Sequence, residues 1–267
     1  MVHKFVRWIT QNLSLLWGDR LLTRLPKYFT ASEQVVTYSG ISLKINTGEE
    51  IGKRIYYYGK YEPEQEEALV QYLKPGAVFF DLGANIGVFS ILGARGRAKV
   101  YAFEPSRKVG RRLGENIKLN SEEHNITVVP AAVADKSGSL DFYETRDGNW
   151  GVGRIFDFNP SVQSEKYQVP VKSLDEFARE FGRPDFIKID IEGAEWLVLN
   201  GAKETLAKGS PTVLIEFHPR EISSLGGSVE KCVGILEEFG YHPQLKGKAI
   251  SPKTHSWQVY QKSGTML

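Results

Sequence analysis

Hydrophobic and polar positions along the chain fall into three regimes. Over the first thirty residues Phe5, Trp8, Ile9, Leu13, Leu16 and Trp17 recur at helical spacing among Lys4, Arg7, Arg20, Arg24 and Lys27, which predicts a basic amphipathic helix. Such a helix packs on the main domain or on a partner subunit, and its charge also suits peripheral contact with an anionic membrane through residues 1–30. Next, residues 35–38, a Ser39-Gly40 turn and residues 41–45 alternate as a β-hairpin, and Ile55-Tyr56-Tyr57-Tyr58 reads as a further strand. A helix over 64–73 follows, opened by Pro63 and stopped by Lys74-Pro75-Gly76.

From Ala77 onward apolar strands alternate with helices. Strands are expected at 78–80, 99–104, 126–133, 139–144, 186–190 and 212–217, with helices from about Ile86, from Pro105-Ser106 towards Asn120, over 194–208 and over 229–239. Residues 241–245 and 257–261 close the chain as a strand pair. This rhythm predicts an α/β fold with a mostly parallel sheet covered on both faces. An N-terminal extension over 1–60 and a larger domain over 61–267 are the expected units.

Composition narrows the class. The chain has 267 residues, 41% of them hydrophobic, and 34 Lys and Arg against 32 Asp and Glu leave a net charge of +2. Such near-neutrality gives no basic footprint for nucleic acid, so no nucleic-acid partner is expected. A single cysteine, Cys232, excludes a disulfide framework and any cysteine-based zinc site, and reads as inert packing. With no apolar run long enough to span a bilayer, a cytoplasmic location is the expectation, with membrane association through residues 1–30 as the possible addition.

The chemistry gathers at strand ends. Asp81-Leu82-Gly83-Ala84-Asn85-Ile86-Gly87 lies directly between a strand and a helix, where glycines permit a tight turn and the helix presents unpaired N–H groups. Glu104 ends the next strand about twenty positions on, the spacing at which an acid binds the two hydroxyls of a ribose. A dinucleotide turn carries G-x-G-x-x-G, but Asn85 replaces its second glycine and Asp81 would repel a pyrophosphate. A cationic nucleoside without phosphate fits better, which favours S-adenosylmethionine over a nicotinamide cofactor.

Asp190-Ile191-Glu192-Gly193 ends another apolar strand. Two residues apart in an extended segment, Asp190 and Glu192 face one way. The pair suits three roles in methyl transfer: base, orienting group for the acceptor, or ligand of a divalent cation that acidifies it. Helix capping is the structural role open to Glu192, and more so to Glu195. Glu216 and His218 share a face on the neighbouring strand, and His218 is a plausible general base because imidazole titrates near neutrality. His3, His124, His242 and His255 have no companions that suggest metal or catalysis, and no residue is assigned as a metal ligand. Arg107, Lys108, Arg111, Arg112 and Lys118 read as a solvated basic helix face, and Trp150 in the Gly-rich loop 147–153 as a lid over the site or an ordered loop.

Asp81-x-Gly83-Ala84-Asn85-x-Gly87, Phe103-Glu104-Pro105, the run from Ile189 to Glu195 with Leu199 and Gly201-Ala202, and Tyr58-Gly59-x-Tyr61-Glu62 together resemble the FkbM family of methyltransferases over roughly residues 55–220. The resemblance implies a Rossmann-like class I methyltransferase with a doubly wound, seven-stranded sheet, acting mostly on hydroxyls of sugars, glycans and natural products. It also implies that Asp81, Gly83, Ala84, Asn85 and Gly87 hold the methionine part of S-adenosylmethionine, that Glu104 binds its ribose, and that Ala132 and its neighbours lie against adenine. Asp190 would stand near the donor amine and the acceptor, and Glu62 would close over the cofactor. Three rivals carry less: a nicotinamide oxidoreductase lacks its glycine pattern, a nucleic-acid methyltransferase lacks an Asn/Asp-Pro-Pro-aromatic clamp (Asn159-Pro160-Ser161 fails it), and a non-catalytic module of the same fold would have no need of Asp190.

Overall fold

The computed structural model describes residues 31–145, 153–154, 164–245 and 249–264. The amphipathic segment of the first thirty residues and Trp150 lie outside the described residues. Strand β1 (Glu33–Tyr38) turns through Ser39-Gly40, both at positive φ, into β2 (Ile41–Asn46). Helix α1 (Glu50–Lys53) runs on as a π-helix (Arg54–Tyr58), closed by Gly59 in the left-handed conformation. The strand expected at 55–58 is therefore helical. Ile55, Tyr56 and Tyr57 are all buried in succession, which a pleat with alternating faces cannot do against one core. Gly52 lets this turn sit on the hairpin, because a Cβ there would lie 1.9 Å from the Asn46 carbonyl oxygen.

Helix α2 (Pro63–Tyr72) leads into β3 (Val78–Leu82), α3 (Val88–Arg95), β4 (Lys99–Phe103), α4 (Arg107–Leu119) and β5 (Ile126–Val129). Then come β6 (Ala132–Ala134), β7 (Gly138–Thr145), β8 (Gly153–Arg154), β9 (Ser164–Ser173) and α5 (Leu174–Phe181). The chain continues through β10 (Phe186–Ile189), α6 (Glu195–Asn200), α7 (Lys203–Lys208), β11 (Thr212–Phe217), α8 (Pro219–Ser224) and α9 (Val229–Glu238). It ends with β12 (Tyr241–Pro243) and β13 (Ser256–Lys262).

Seven strands form the central sheet in the order β12-β13-β11-β10-β3-β4-β5, parallel except where β13 runs against β11 and β12. Strand order reverses between β3 and β10, the point where such sheets open a ligand crevice at their carboxyl ends. Alternate residues feed two cores: Phe79 packs with the hairpin and α2–α4, and Phe80 with α5, α6 and α9 on the opposite face.

The single strand expected over 126–133 is two strands in two sheets. Pro130 has no N–H for the ladder, and the Ala131 N–H bonds the Val129 carbonyl in a tight turn. Strand β6 thus leaves the main sheet and joins a second one, ordered β6-β9-β7-β8. The helix expected over 194–208 likewise breaks between α6 and α7 at Gly201-Ala202. There the backbone passes β6 so closely that a Cβ on Gly201 would meet the Ala134 carbonyl oxygen at 2.2 Å. Asp175 then caps the new helix through the Glu204 and Thr205 N–H groups.

Nor is the basic face of α4 wholly solvated. Arg112 is nearly buried and pairs with Glu33 and Glu49, while Asn116 and Asn120 accept the N–H groups of Lys44 and Ser42, which fixes the hairpin to α4. Among the described residues no helix is long and apolar enough to cross a membrane. Gly201→Val should cost about 2–3 kcal/mol of unfolding free energy in urea titration, since neither the β6 carbonyl nor the helix break can yield; a fully stable variant would contradict this account of the break.

Candidate active site

The strand ends at the order reversal enclose a cleft of about 760 Å³. Every site residue named from the sequence except Gly87 lines it: Glu62, Asp81, Gly83, Ala84, Asn85, Glu104, Ala132, Asp190, Glu192 and His218. Gly83 (φ 83°) brings the β3 turn against the loop after β10, where a Cβ would lie 1.9 Å from the Asp190 carbonyl oxygen. At Gly87 (φ 93°) a Cβ would collide with Leu113 of α4 at 2.6 Å. Both glycines therefore serve backbone packing as well as the turn.

Glu104 ties that turn to β4. Its carboxylate accepts the N–H groups of Asn85 (3.0 Å) and Ser106 (2.8 Å). Burial nevertheless pushes its pKa up to about 7, with the charges of Glu144 and Glu192 adding to the shift. Asp81 is 1% exposed, and burial raises its carboxyl as well. Its Oδ2 takes the Ser90 hydroxyl at 2.5 Å, and its Oδ1 has no hydrogen-bond partner. Ala131, Ala132 and Val133 form an apolar wall beside Glu104.

The acid pair Asp190–Glu192 does not face one way. Strand β10 stops at Ile189, and Glu192 takes a left-handed conformation (φ 49°) in a tight turn with Gly193 (φ 116°). Glu192 thereby bears on Glu104, whereas Asp190 turns to Lys188 and His218. Lys188, which sequence reading passed over inside an apolar strand, is 2% exposed. Its ammonium lies 2.7 Å from Asp190 Oδ2 and 4.5 Å over the Phe89 ring. Burial alone would raise the Asp190 carboxyl, but the charges of Lys188 and then His218 prevail and hold it below the usual carboxylate range.

On the neighbouring strand, His218 Nδ1 lies 2.6 Å from Glu195 Oε1, and its Nε2 faces Asp190 Oδ1 at 3.9 Å. Glu195 is thus a partner of the histidine as well as a first-turn acid of α6; it is fully buried, and burial raises its carboxyl. Burial opposes protonation of His218, yet the hydrogen bond and charge of Glu195, with the charge of Asp190, push the imidazole up to about 9. His255, set aside on sequence, packs edge-on against His218 with ring centroids 4.6 Å apart. Glu216 accepts the Gln65 amide at 2.9 Å. Among the described residues, Glu216, His218 and His255 offer metal-ligand atoms within 4.8 Å of one another, and so do Glu62, Asp190 and Glu216.

Glu62 enters from the N-terminal side in a left-handed conformation (φ 46°) just before Pro63, a strained posture that its surroundings must enforce. Tyr38 of the hairpin supplies the enforcement: its hydroxyl donates to the Tyr61 carbonyl (2.9 Å) and accepts the Tyr61 N–H (2.8 Å). Burial, with Asp190 and Glu216 nearby, raises Glu62 to about 7 against the opposing charge of Lys188. Tyr38 and Gln65 carried no sequence signal, because both act across long chain separations.

A seven-stranded sheet in this order, with acids at four strand tips round one cleft, defines a Rossmann-like methyltransferase of class I. The particular family follows from the sequence: residues 81–243 match the Methyltransferase FkbM domain, and the chain belongs to that family of S-adenosylmethionine-dependent methyltransferases. It is 25% identical to the AMB antimetabolite synthetase AmbE of Pseudomonas aeruginosa over 89% of this chain and 13% of that protein. The 2-O-methyltransferase NoeI of Sinorhizobium fredii is 29% identical over 56% of this chain and 66% of its own length. Hexuronic acid methyltransferase AglP of Haloferax volcanii is 28% identical over 55% and 60%. The chain thus spans less than two thirds of each of these relatives. A crystal structure of Methyltransferase FkbM from Methylobacillus flagellatus superposes with a TM-score of 0.49 at 18% identity, over 97% of this chain and 58% of that one.

Tyr38→Phe removes both hydrogen bonds to Tyr61, so that its part-buried carbonyl and N–H each lose this partner. Thermal and urea unfolding should show a loss of about 1–3 kcal/mol; an unchanged midpoint would mean that the Tyr61-Glu62 segment is held by packing alone.

Proposed function

We propose that this methyltransferase acts on a hydroxyl of a sugar, glycan or other natural product, with His218 as the general base. The supporting observation is the fixed ring of His218: Glu195 holds Nδ1, and Nε2 faces the cleft beside Asp190. Two relatives whose names specify a 2-O-methyltransferase and a hexuronic acid methyltransferase support the acceptor class.

S-adenosylmethionine suits the residues on the other side of the cleft. The unpartnered Asp81 Oδ1 is a carboxylate oxygen in want of a donor, as an ammonium group provides. Glu104 retains lone pairs for ribose hydroxyls, the apolar wall at 131–133 suits adenine, and Glu62 closes the N-terminal side. Gly83, Ala84, Asn85 and Gly87 shape the turn beneath. When bound, this cofactor supplies a methyl group made electrophilic by a sulfonium.

The chain's own residues do the rest. Alignment of the acceptor oxygen with the methyl supplies most of the acceleration, since effective molarities reach roughly 10⁵–10⁸ M. Near neutrality His218 is an imidazolium held between Glu195 and Asp190, and it must lose that proton before it can serve as base. Once neutral, Nε2 can take the proton of the acceptor hydroxyl, and the two carboxylates balance the charge that returns to the ring. Asp190, itself held by Lys188, orients the hydroxyl.

Two outcomes follow. The kcat/KM of the wild type should climb with pH to a plateau above about 9, and His218→Ala should lose that limb and about 10²–10⁴-fold in turnover while binding the cofactor normally. Wild-type turnover and pH profile in His218→Ala would place the base elsewhere. Because ribose hydroxyls favour ionised Glu104, calorimetric affinity for S-adenosylmethionine should strengthen as pH rises through about 7 and fall in Glu104→Ala; equal affinity on both sides of that pH would refute the assignment.

A further inference from the structure

We propose that the acceptor is cationic: a polyol that carries a protonated amine beside the hydroxyl to be methylated, as an amino sugar does. This rests on the O-methyltransferase reading and narrows its substrate class. Among the described residues lining the cleft, carboxylates outnumber lysine and arginine ten to two. The cations are already taken, Lys188 by Asp190, Arg54 by Glu50 and the His218 imidazolium by Glu195. With Asp81 and Glu104 assigned to the cofactor, Asp190, Glu216 and Glu221 remain round the acceptor side, and Glu62, whose carboxylate lies within 4.8 Å of those of Asp190 and Glu216, borders both sides.

A second observation is independent of charge. Glu62 Oε2, Gln65 Oε1 and Glu221 Oε2 are buried without a hydrogen-bond partner, and all three are acceptors. Gln65 is 3% exposed, lines the cleft, and spends its amide N–H on Glu216. Glu221 Oε2 lies 3.8 Å from His255 Nε2, beyond hydrogen-bond distance. Buried acceptors without donors are costly, and an occupant rich in N–H and O–H groups relieves them. A phosphate or carboxylate on the acceptor would add more acceptors and more negative charge, and is disfavoured twice over. One divalent cation cannot meet the same need, because Glu221 belongs to neither of the metal-sized groups.

The test is calorimetric titration of the full chain, saturated with S-adenosylhomocysteine in EDTA, with glucosamine, N-acetylglucosamine and glucuronate. Glucosamine should bind at least about tenfold more tightly than its N-acetylated counterpart. Added salt should narrow that margin, and glucuronate should bind least. Glu221→Gln should weaken glucosamine binding about tenfold and leave S-adenosylhomocysteine affinity unchanged. The proposal falls if glucosamine does not bind, if N-acetylglucosamine or glucuronate matches it, if Glu221→Gln binds it as well as the wild type, or if it binds only when EDTA is replaced by Mn²⁺. Loss of S-adenosylhomocysteine binding itself would instead count against the methyltransferase reading.

Discussion

The ammonium of Lys188 is the charge round which the cleft is arranged. It sits inside the sheet on β10, in register with Asp81 on β3, and bonds Asp190 at the strand tip. Asp81, Glu62 and Asp190 all bear on it. Three carboxylates brought together at one crevice would otherwise share protons to avoid like charge. With the lysine beneath them Asp190 stays ionised, and its charge adds to that of Glu195, which does most to keep His218 charged near neutrality, while Nε2 faces Asp190. A buried ion pair is a poor source of net stability, but removal of one partner is strongly destabilising. Its service here is placement: it holds Asp190 at the strand tip between the β3 turn and His218.

The hairpin belongs to this arrangement. Tyr38 clasps the Tyr61 backbone from one side, and Glu33, Glu49, Asn116 and Asn120 bind the hairpin to α4 on the other. Glu62 is thereby held in a left-handed conformation that no local preference favours. One layer carries a wall of the site, and the central sheet carries its floor.

Sequence made the glycine turn after β3 and Glu104 legible as lining of the cleft, and the surroundings of His218 only partly so. At 78–87 the signal is local: an apolar strand, glycines where the backbone must turn, and an acid at the next strand tip. Pro130 split one apolar run between two sheets, although the run itself has unbroken strand character. The even spacing of Asp190 and Glu192 misled because the extended backbone ends at Ile189. Lys188 looks like a stray polar residue in a buried strand, and nothing local shows that three acids will gather over it. Glu195, Gln65 and His255 gain their partners only when α6, α2 and the segment before β13 converge on the tips of β10 and β11. Such contacts leave no periodicity to read.

The central claim concerns one charge, and Lys188→Met removes it while keeping much of the side chain's length and apolar packing. Unfolding free energy of the variant and the wild type, measured by urea titration from about pH 5 to about pH 8, tests it directly. The account predicts a deficit of about 3–5 kcal/mol at the upper end, where the carboxylates are ionised without a partner, shrinking towards the lower end as they take up protons. A variant as stable as the wild type at every pH, or a deficit that does not change with pH, would contradict it.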